Sequence, residues 1–514
     1  MNMNEPQLFA GDQNQLAVFT PIDSLLSAYR KDREDLERIA SYVAGETRVM
    51  HYFMAGAQIE NQISSISAAS LFELAPAVRE LDASYWSRAM SLTDVLDSMP
   101  AAKRNEWNEQ IRGHKTPAFE PESVKATIGA LLAQRSQFFA ERVDGLFRAL
   151  SGEHLTNAPE GFGKRMIIAH LRSHYDTLNY DRSNYIHDLR CVIAKFMGRD
   201  APFANVTHDD LNSMYRNRQY GEWKCFDGGA FRVRLYMKGT AHLEVHPDIA
   251  YRLNQVLAWL HPMAIPNEFR TKPAKAPKDF TMVHDLVPFE VLSELARGRV
   301  DRTGKSISFF YNSIKPNHRT VQVLQYLGGV PGTMGNWSFD YEVQPVLDEL
   351  TRTGRIPDQK THQFYPTPEC LASTAVDLAD IADTDTVLEP SAGLGGLAEH
   401  LPKERTTCVE ISNLHCKVLE AKGYITVCED FLRWSPPMKF SKIVMNPPFS
   451  EGRDAAHVRH ACSFLQEGGK LVAILPASRR NKTLVEGWNH EWSEVFDNRF
   501  EGTQVAVVIL VLTR

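Results

Sequence analysis

The tetrapeptide Asn446-Pro447-Pro448-Phe449 directly follows the apolar run Ile443-Val-Met445. Two consecutive prolines fix φ and donate no backbone hydrogen bonds, so the chain is stiff there. The Asn446 side-chain oxygen and the Pro447 carbonyl can then be held as two acceptors near one point. A substrate amino group placed between them donates both hydrogens and turns its lone pair toward an electrophile. Phe449 offers a face on which a planar base can stack. An Asn-Pro pair alone reads as a turn ending a strand. With the second proline, the aromatic ring and a glycine turn upstream, Asn446, Pro447, Pro448 and Phe449 read as a catalytic clamp.

The upstream turn is Val387-Leu-Glu389-Pro390-Ser391-Ala-Gly393-Leu-Gly395-Gly396, a strand ending in an acid before a glycine-rich loop. Glycines are required where a cofactor must approach backbone, because a Cβ would stand in the way. A carboxylate at Glu389 repels a pyrophosphate and suits a cationic amino group, so the turn favours a nucleoside carrying an amino acid over a dinucleotide. Glu410 ends the run Cys408-Val-Glu410-Ile411, 21 residues beyond Glu389. That is close to the spacing of about 20 that sets an acid on ribose hydroxyls. Asp430, in Cys428-Glu-Asp430-Phe431, closes a third run and can accept from an adenine amino group, with Phe431 beside the ring. One such acid is an ordinary surface carboxylate; three in order, each closing an apolar strand, form a site. Ser391 reads as a turn residue rather than a nucleophile. His457 and His460 read as helix-surface or satisfied histidines rather than catalytic ones.

The segment from Thr361 to Arg514 resembles the class I methyltransferases that form N6-methyladenine in DNA, in the subgroup whose cofactor-amino-acid motif precedes the glycine turn. Here that motif is Phe364-Tyr365-Pro-Thr367-Pro368-Glu369. The resemblance implies a Rossmann-like domain, S-adenosyl-L-methionine as cofactor and DNA as partner, its target base flipped from a duplex or single-stranded. It implies that Tyr365, Thr367 and Pro368 border the methionine end of the cofactor. With them, Glu389, Pro390, Ser391, Gly393, Gly395, Glu410, Ile411, Asp430, Phe431 and Asn446 make up the expected cofactor site. Residues from about Ala133 to Asp340, including Glu160-Gly-Phe-Gly-Lys-Arg165, are similar to an uncharacterised domain found ahead of such enzymes in phage and plasmid proteins. Competing readings are methylation of RNA or of cytosine N4, and a nucleic-acid-binding anti-restriction or regulatory protein that keeps the fold without turnover.

The elements that must position these groups follow from periodicity. Beyond Thr361, apolar runs at 386–388, 407–411, 425–427, 442–445, 470–475 and 504–512 alternate with turns and helices, which implies a mostly parallel sheet covered on both faces. Phe500-Glu-Gly-Thr503 suits a hairpin returning the last run into that sheet. Apolar spacing of three and four over Ile22–Met54, Phe72–Leu96 and Val124–Leu150 predicts helices, punctuated by Pro76, Pro100 and a linker at 113–121. Ala230–Val245 predicts a hairpin around Lys238-Gly239, followed by a helix over Pro247–Leu260 and an exposed proline-rich loop over 262–277. The fold class is α/β, in three parts: a helical region 1–130, an α+β central domain 131–350 and a methyltransferase domain 361–514.

Composition adds limits. At 43% hydrophobic and 23% charged, the chain is globular rather than disordered. No run approaches the roughly 18 apolar residues of a membrane span, and the first twelve residues lack a secretory pattern. Seven cysteines, odd in number and without a C-x-x-C pair, argue against a disulfide framework or a metal site and for a reducing cytoplasm. The net charge is −6, yet residues 211–320 hold 17 Lys/Arg against 10 Asp/Glu. With no recognition domain expected after the last strand, that basic stretch is the candidate DNA surface, through Arg216, Arg218, Lys224, Arg232, Arg234 and Lys238.

Overall fold

A computed structural model describes residues 15–61, 68–93, 96, 99–154, 157–158, 160–163, 165–173, 177–273, 280–309, 316–357, 365–497 and 505–514. The chain divides into two compact units, Met1–Ala201 with Tyr236–Thr281, and Pro202–Leu235 with Met282–Arg514. This differs from a division at 131 and 361. The second unit gathers residues on both sides of 361, because the helix Gln344–Thr353 packs on Asn413–Lys422; on the near side, the buried Thr351 hydroxyl donates to Asp210 at 2.8 Å.

The first unit holds helices over Gln15–Gly45, Thr47–Asn61, Leu74–Leu92, Ala101–Arg112, Pro121–Ala133 and Arg135–Gly152; the spans expected as single helices at 22–54 and 124–150 are each broken in two, and Ala101–Arg112 was not expected. Ile22, Leu25, Leu26 and Tyr29, one face of the first helix, pack with Trp86, Met90, Phe119 and Ile128. The buried Asp82 carboxylate accepts from the Tyr29 hydroxyl at 2.6 Å and the Phe119 amide at 3.0 Å. Strand Met166–Ile168 pairs antiparallel with Ala241–Val245, and helix Pro247–Leu260 follows as expected. The expected tight turn sits at Lys238-Gly239, closed by Tyr236 donating to Thr240 at 2.9 Å. Gly161 has a packing reason: a Cβ would lie 2.9 Å from Asn254 Oδ1, which accepts from the Phe162 amide. Lys164, Lys275 and Pro277 lie outside the described residues.

The second unit carries the large sheet. Its strands are β1 (Val387–Pro390), β2 (Thr406–Glu410), β3 (Ile425–Cys428), β4 (Phe440–Met445), β5 (Leu465–Pro476), β6 (Asn489–Trp492) and β7 (Val507–Thr513), with helices α1 (Glu369–Ala379), α2 (Asn413–Lys422) and α3 (Arg453–Cys462). Their order is β3-β2-β1-β4-β5-β7-β6. The first five are parallel, and β7 runs antiparallel between β5 and β6. Burial on both sides explains the continuous apolar runs. Val444, Val472, Ile474, Val507 and Ile509 pack with α1, whereas Ile443, Met445, Leu471, Ala473 and Leu475 pack with α3. The strand order reverses between β1 and β4, the switch point beyond whose carboxyl ends a crevice opens. Strand β6 was not foreseen, because Asn489-His-Glu-Trp492 is a polar edge. The hairpin expected at 500–503 lies outside the described residues.

Candidate functional site

At the carboxyl edge of this sheet lies a cavity of about 750 Å³, within the range of small-molecule sites. Gly393 and Asn446 both face it, as do Glu389, Glu410, Asp430 and Phe449. They come from the ends of four strands, β1 to β4, or the loops that follow them, so the shared direction of the parallel strands is what brings them together.

Strand β1 gives way to the glycine turn at Ser391, whose φ of +65° is left-handed, as is that of Gly393 at +58°. The turn is pinned by Ser391 and Ala392 amides donating to the Val409 carbonyl at 2.8 and 3.1 Å. Gly395 (φ +89°) faces α2 rather than the cavity; a Cβ there would lie 3.1 Å from Leu419. Pro390, buried in β1, and Pro368, the cap of α1, do not line the cavity either. These three residues shape the backbone around the cavity without lining it.

Glu389 is 2% exposed, and its one hydrogen-bond partner among the described residues is the Cys408 thiol at 3.9 Å. Burial first, then the charges of Glu410 and Glu399, hold its carboxyl well above the usual range. A weakly partnered buried acid in a cavity wall calls for a cationic partner.

Glu410 is the opposite case. Burial would raise its pKa, but His415 and the amides of Ser412 and Gly393 outweigh that and keep it low. Its oxygens accept from Gly393 N (2.8 Å) and Ser412 N (2.8 Å), while His415 Nδ1 stands 3.7 Å away. Glu410 therefore ties the glycine turn to the end of β2 as an ionised strut that keeps lone pairs for hydroxyl donors. Ile411 is 60% exposed at the cavity wall. Asp430 accepts from the Leu432 amide at 3.1 Å and faces the same space. Phe431, expected beside the cofactor ring, is 3% exposed; it lines the cavity and packs among His457, His460 and Phe464.

On the clamp side, the Asn446 amide donates to Thr367 Oγ1 at 3.1 Å. The amide nitrogen is thereby engaged and the side-chain oxygen is left for a substrate. Thr367 also backs Gly396, where a Cβ would approach its carbonyl to 3.5 Å. Tyr365 lines the cavity; Phe364 lies outside the described residues. After Phe449 the chain turns sharply at Glu451 (φ +54°) and Gly452 (φ +74°) into α3, which is locked by Arg479 bridging the fully buried Asp454 at 2.6 and 2.7 Å.

Three features were missed from sequence. His457 is buried at the cavity wall, its Nδ1 3.3 Å from Ser391 Oγ, and burial lowers its pKa to about 4, so it is neutral at physiological pH. Tyr326, Leu327 and Gly328, well upstream of residue 361, form part of the wall. Cys416 and Cys428 are joined by a disulfide with Cα atoms 5.9 Å apart, which corrects the expectation of reduced cysteines. The pair sits between α2 and β3, two elements whose packing the cysteine spacing along the chain does not reveal.

Of the basic residues expected to meet DNA, Arg216, Arg218 and Lys238 are exposed. Lys224 is paired with Glu222 at 2.7 Å, and Arg232 and Arg234 extend over the Trp223 ring at 4.9 and 5.9 Å. No group of three or more candidate metal ligands occurs among the described residues, and none of their helices is long and apolar enough to cross a membrane.

Residues 78–262 match a domain of unknown function, DUF4942, a span beginning well before residue 133. No curated protein matches the chain in sequence. Among solved structures, the chain is similar to TrmN from Thermus thermophilus, with 19% identity over 28% of this chain and a TM-score of 0.25; that likeness spans 48% of the TrmN chain. It is similar to the 23S rRNA methyltransferase ErmE, with 21% identity over 29% of this chain and 70% of that one, at a TM-score of 0.26. A coclaurine N-methyltransferase bound to N-methylheliamine and SAH shares 9% identity over 28% of this chain and 72% of that one, at a TM-score of 0.25. At such scores the chemistry of the site is read from its own residues.

Proposed function

We propose that residues 365–514 are an S-adenosylmethionine-dependent methyltransferase that methylates the N6 amino group of adenine in DNA. The observation that carries this reading is the shared cavity of Gly393, Glu389 and Asn446, in which a buried acid needing a cation stands beside a free amide acceptor. The residues present fit the cofactor. Glu389 would take its amino group, Glu410 its ribose hydroxyls and Asp430 its adenine amino group, with Ile411 over the ring.

Bound S-adenosylmethionine supplies an electrophilic methyl group on a sulfonium. The chain's own work is positioning. Asn446 Oδ1 and the Pro447 carbonyl accept the two hydrogens of the target amino group, which draws its lone pair out of conjugation with the ring. Phe449 stacks on the base. The nitrogen would take the methyl as the sulfur–methyl bond breaks to leave a neutral thioether, and would then shed its proton to solvent, so no strong general base is required. Orientation and exclusion of water supply most of the rate. Flipping the base from a duplex costs a few kcal/mol.

The test is to incubate the protein with isotopically labelled cofactor and separate DNA and RNA pools, then identify the methylated nucleoside by mass spectrometry. N6-methyladenine from DNA supports the reading. Label in RNA alone or in N4-methylcytosine would redirect it, and cofactor binding without transfer would favour a binding protein.

A further inference from the structure

We infer that Tyr326, outside the strand-and-helix core of the catalytic fold, is a positioning residue for the ribose of the cofactor, acting through His415 on Glu410. The inference rests on the cofactor reading above.

The Tyr326 hydroxyl lies 2.6 Å from His415 Nε2 and 3.2 Å from the Pro357 carbonyl; given to Nε2, its one proton leaves the proton of the neutral ring on Nδ1, toward Glu410. The opposite ring nitrogen, His415 Nδ1, faces Glu410 Oε1 at 3.7 Å. His415 is 1% exposed, and its ring lies nearly parallel to that of Tyr326, at 29°. An imidazole engaged at one nitrogen has the orientation of the other fixed, as second-layer partners fix the histidines of metal sites. Tyr326 thus holds His415, and His415 helps to keep Glu410 ionised and aimed.

The position of Tyr326 in the chain matters. It ends the helix His318–Tyr326, and it lines the cavity together with Leu327 and Gly328. The Gly328 and Gly329 amides turn back on the Gln325 and Leu324 carbonyls at 2.9 and 2.8 Å, so the wall segment is a closed helix end and not a trailing strand. The ribose end of the cavity is therefore completed by residues that precede the Phe364-to-Glu369 motif.

The probe is S-adenosylhomocysteine, titrated calorimetrically into the full chain, with its 2′,3′-dideoxyribose analogue as control. Tyr326→Phe removes the hydroxyl and keeps the ring. Its expected effect is a roughly 5- to 30-fold loss of affinity for S-adenosylhomocysteine and less than about a twofold change for the dideoxy analogue. His415→Ala should show the same selectivity, and the double variant should lose no more than His415→Ala alone. Equal loss for both ligands, or no loss in Tyr326→Phe, would overturn the inference. If the unaltered protein binds neither ligand, the cofactor reading itself fails.

Discussion

The side chains of Thr367 and Asn446, 79 residues apart, meet in a hydrogen bond of 3.1 Å that joins the proline-flanked motif to the catalytic clamp. Pro366 and Pro368 restrict the backbone on both sides of Thr367, so its hydroxyl is held before any ligand arrives. Thr367→Val is expected to lower single-turnover methyl transfer roughly 10- to 100-fold while S-adenosylhomocysteine affinity changes less than about threefold. Thr367→Ser should recover most of the rate. A parallel loss of affinity would assign Thr367 to the cofactor, as the family resemblance has it.

Asn446→Ala removes the acceptor and leaves the glycine turn and its acids in place. Transfer should fall by about 10²- to 10³-fold with cofactor affinity nearly unchanged. Rapid-quench kinetics beside calorimetry would separate the two effects.

Glu389 makes cofactor binding depend on pH. Its carboxyl is raised above the ordinary range when it faces no cation, and a cationic amino group would favour its ionised form. Binding should therefore release a proton, and affinity should climb with pH until the free-state pKa is passed. The gain ends where the ligand's own α-amino group deprotonates, at about pH 8. Calorimetry in two buffers of different ionisation enthalpy measures the proton count, and Glu389→Gln should abolish it. For folding the sign is reversed. A raised acid contributes its stability fully below the unfolded pKa and loses it as pH rises through the folded value, so Glu389→Gln should flatten any decline in stability above about pH 5.

Gly395→Ala tests the fold beneath the site. The residue sits at φ +89° with Leu419 3.1 Å from the position of a Cβ. A loss of about 1–3 kcal/mol is expected in denaturant unfolding.

Of the six basic residues expected to meet DNA, Arg216 and Arg218 are the exposed ones within the second unit. Replacing both with alanine should weaken DNA binding and lower the salt slope by about one for each phosphate that the variant no longer neutralises. Arg232→Ala should instead act by uncovering Trp223, with a smaller change in slope.

Much of the catalytic half was legible because chemistry and periodicity coincide there. The first four apolar runs lead to Glu389, Glu410, Asp430 and Asn446, which line the cavity, and parallel strands place those ends together. Tyr326 was not legible, since nothing in its own segment signals a ligand and its role depends on a residue 89 positions away. Phe431 lines the cavity, as expected of a residue beside Asp430, but its contacts with His457 and Phe464 depend on the packing of the helix Arg453–Cys462 and could not be read from its own segment. Among the central arginines, the alternation of Arg232 and Arg234 on one strand face, with Trp223 on the neighbouring strand's approach, already carried the alternative of stacking.

The covalent bridge between Cys416 and Cys428 has a practical meaning for anyone handling this protein. Cys428 pairs in register with Glu410, so the thiol chemistry of the medium reaches within one strand spacing of the residue read as the ribose acceptor. Counting free thiols with and without reductant, before any titration, establishes which covalent form is being measured.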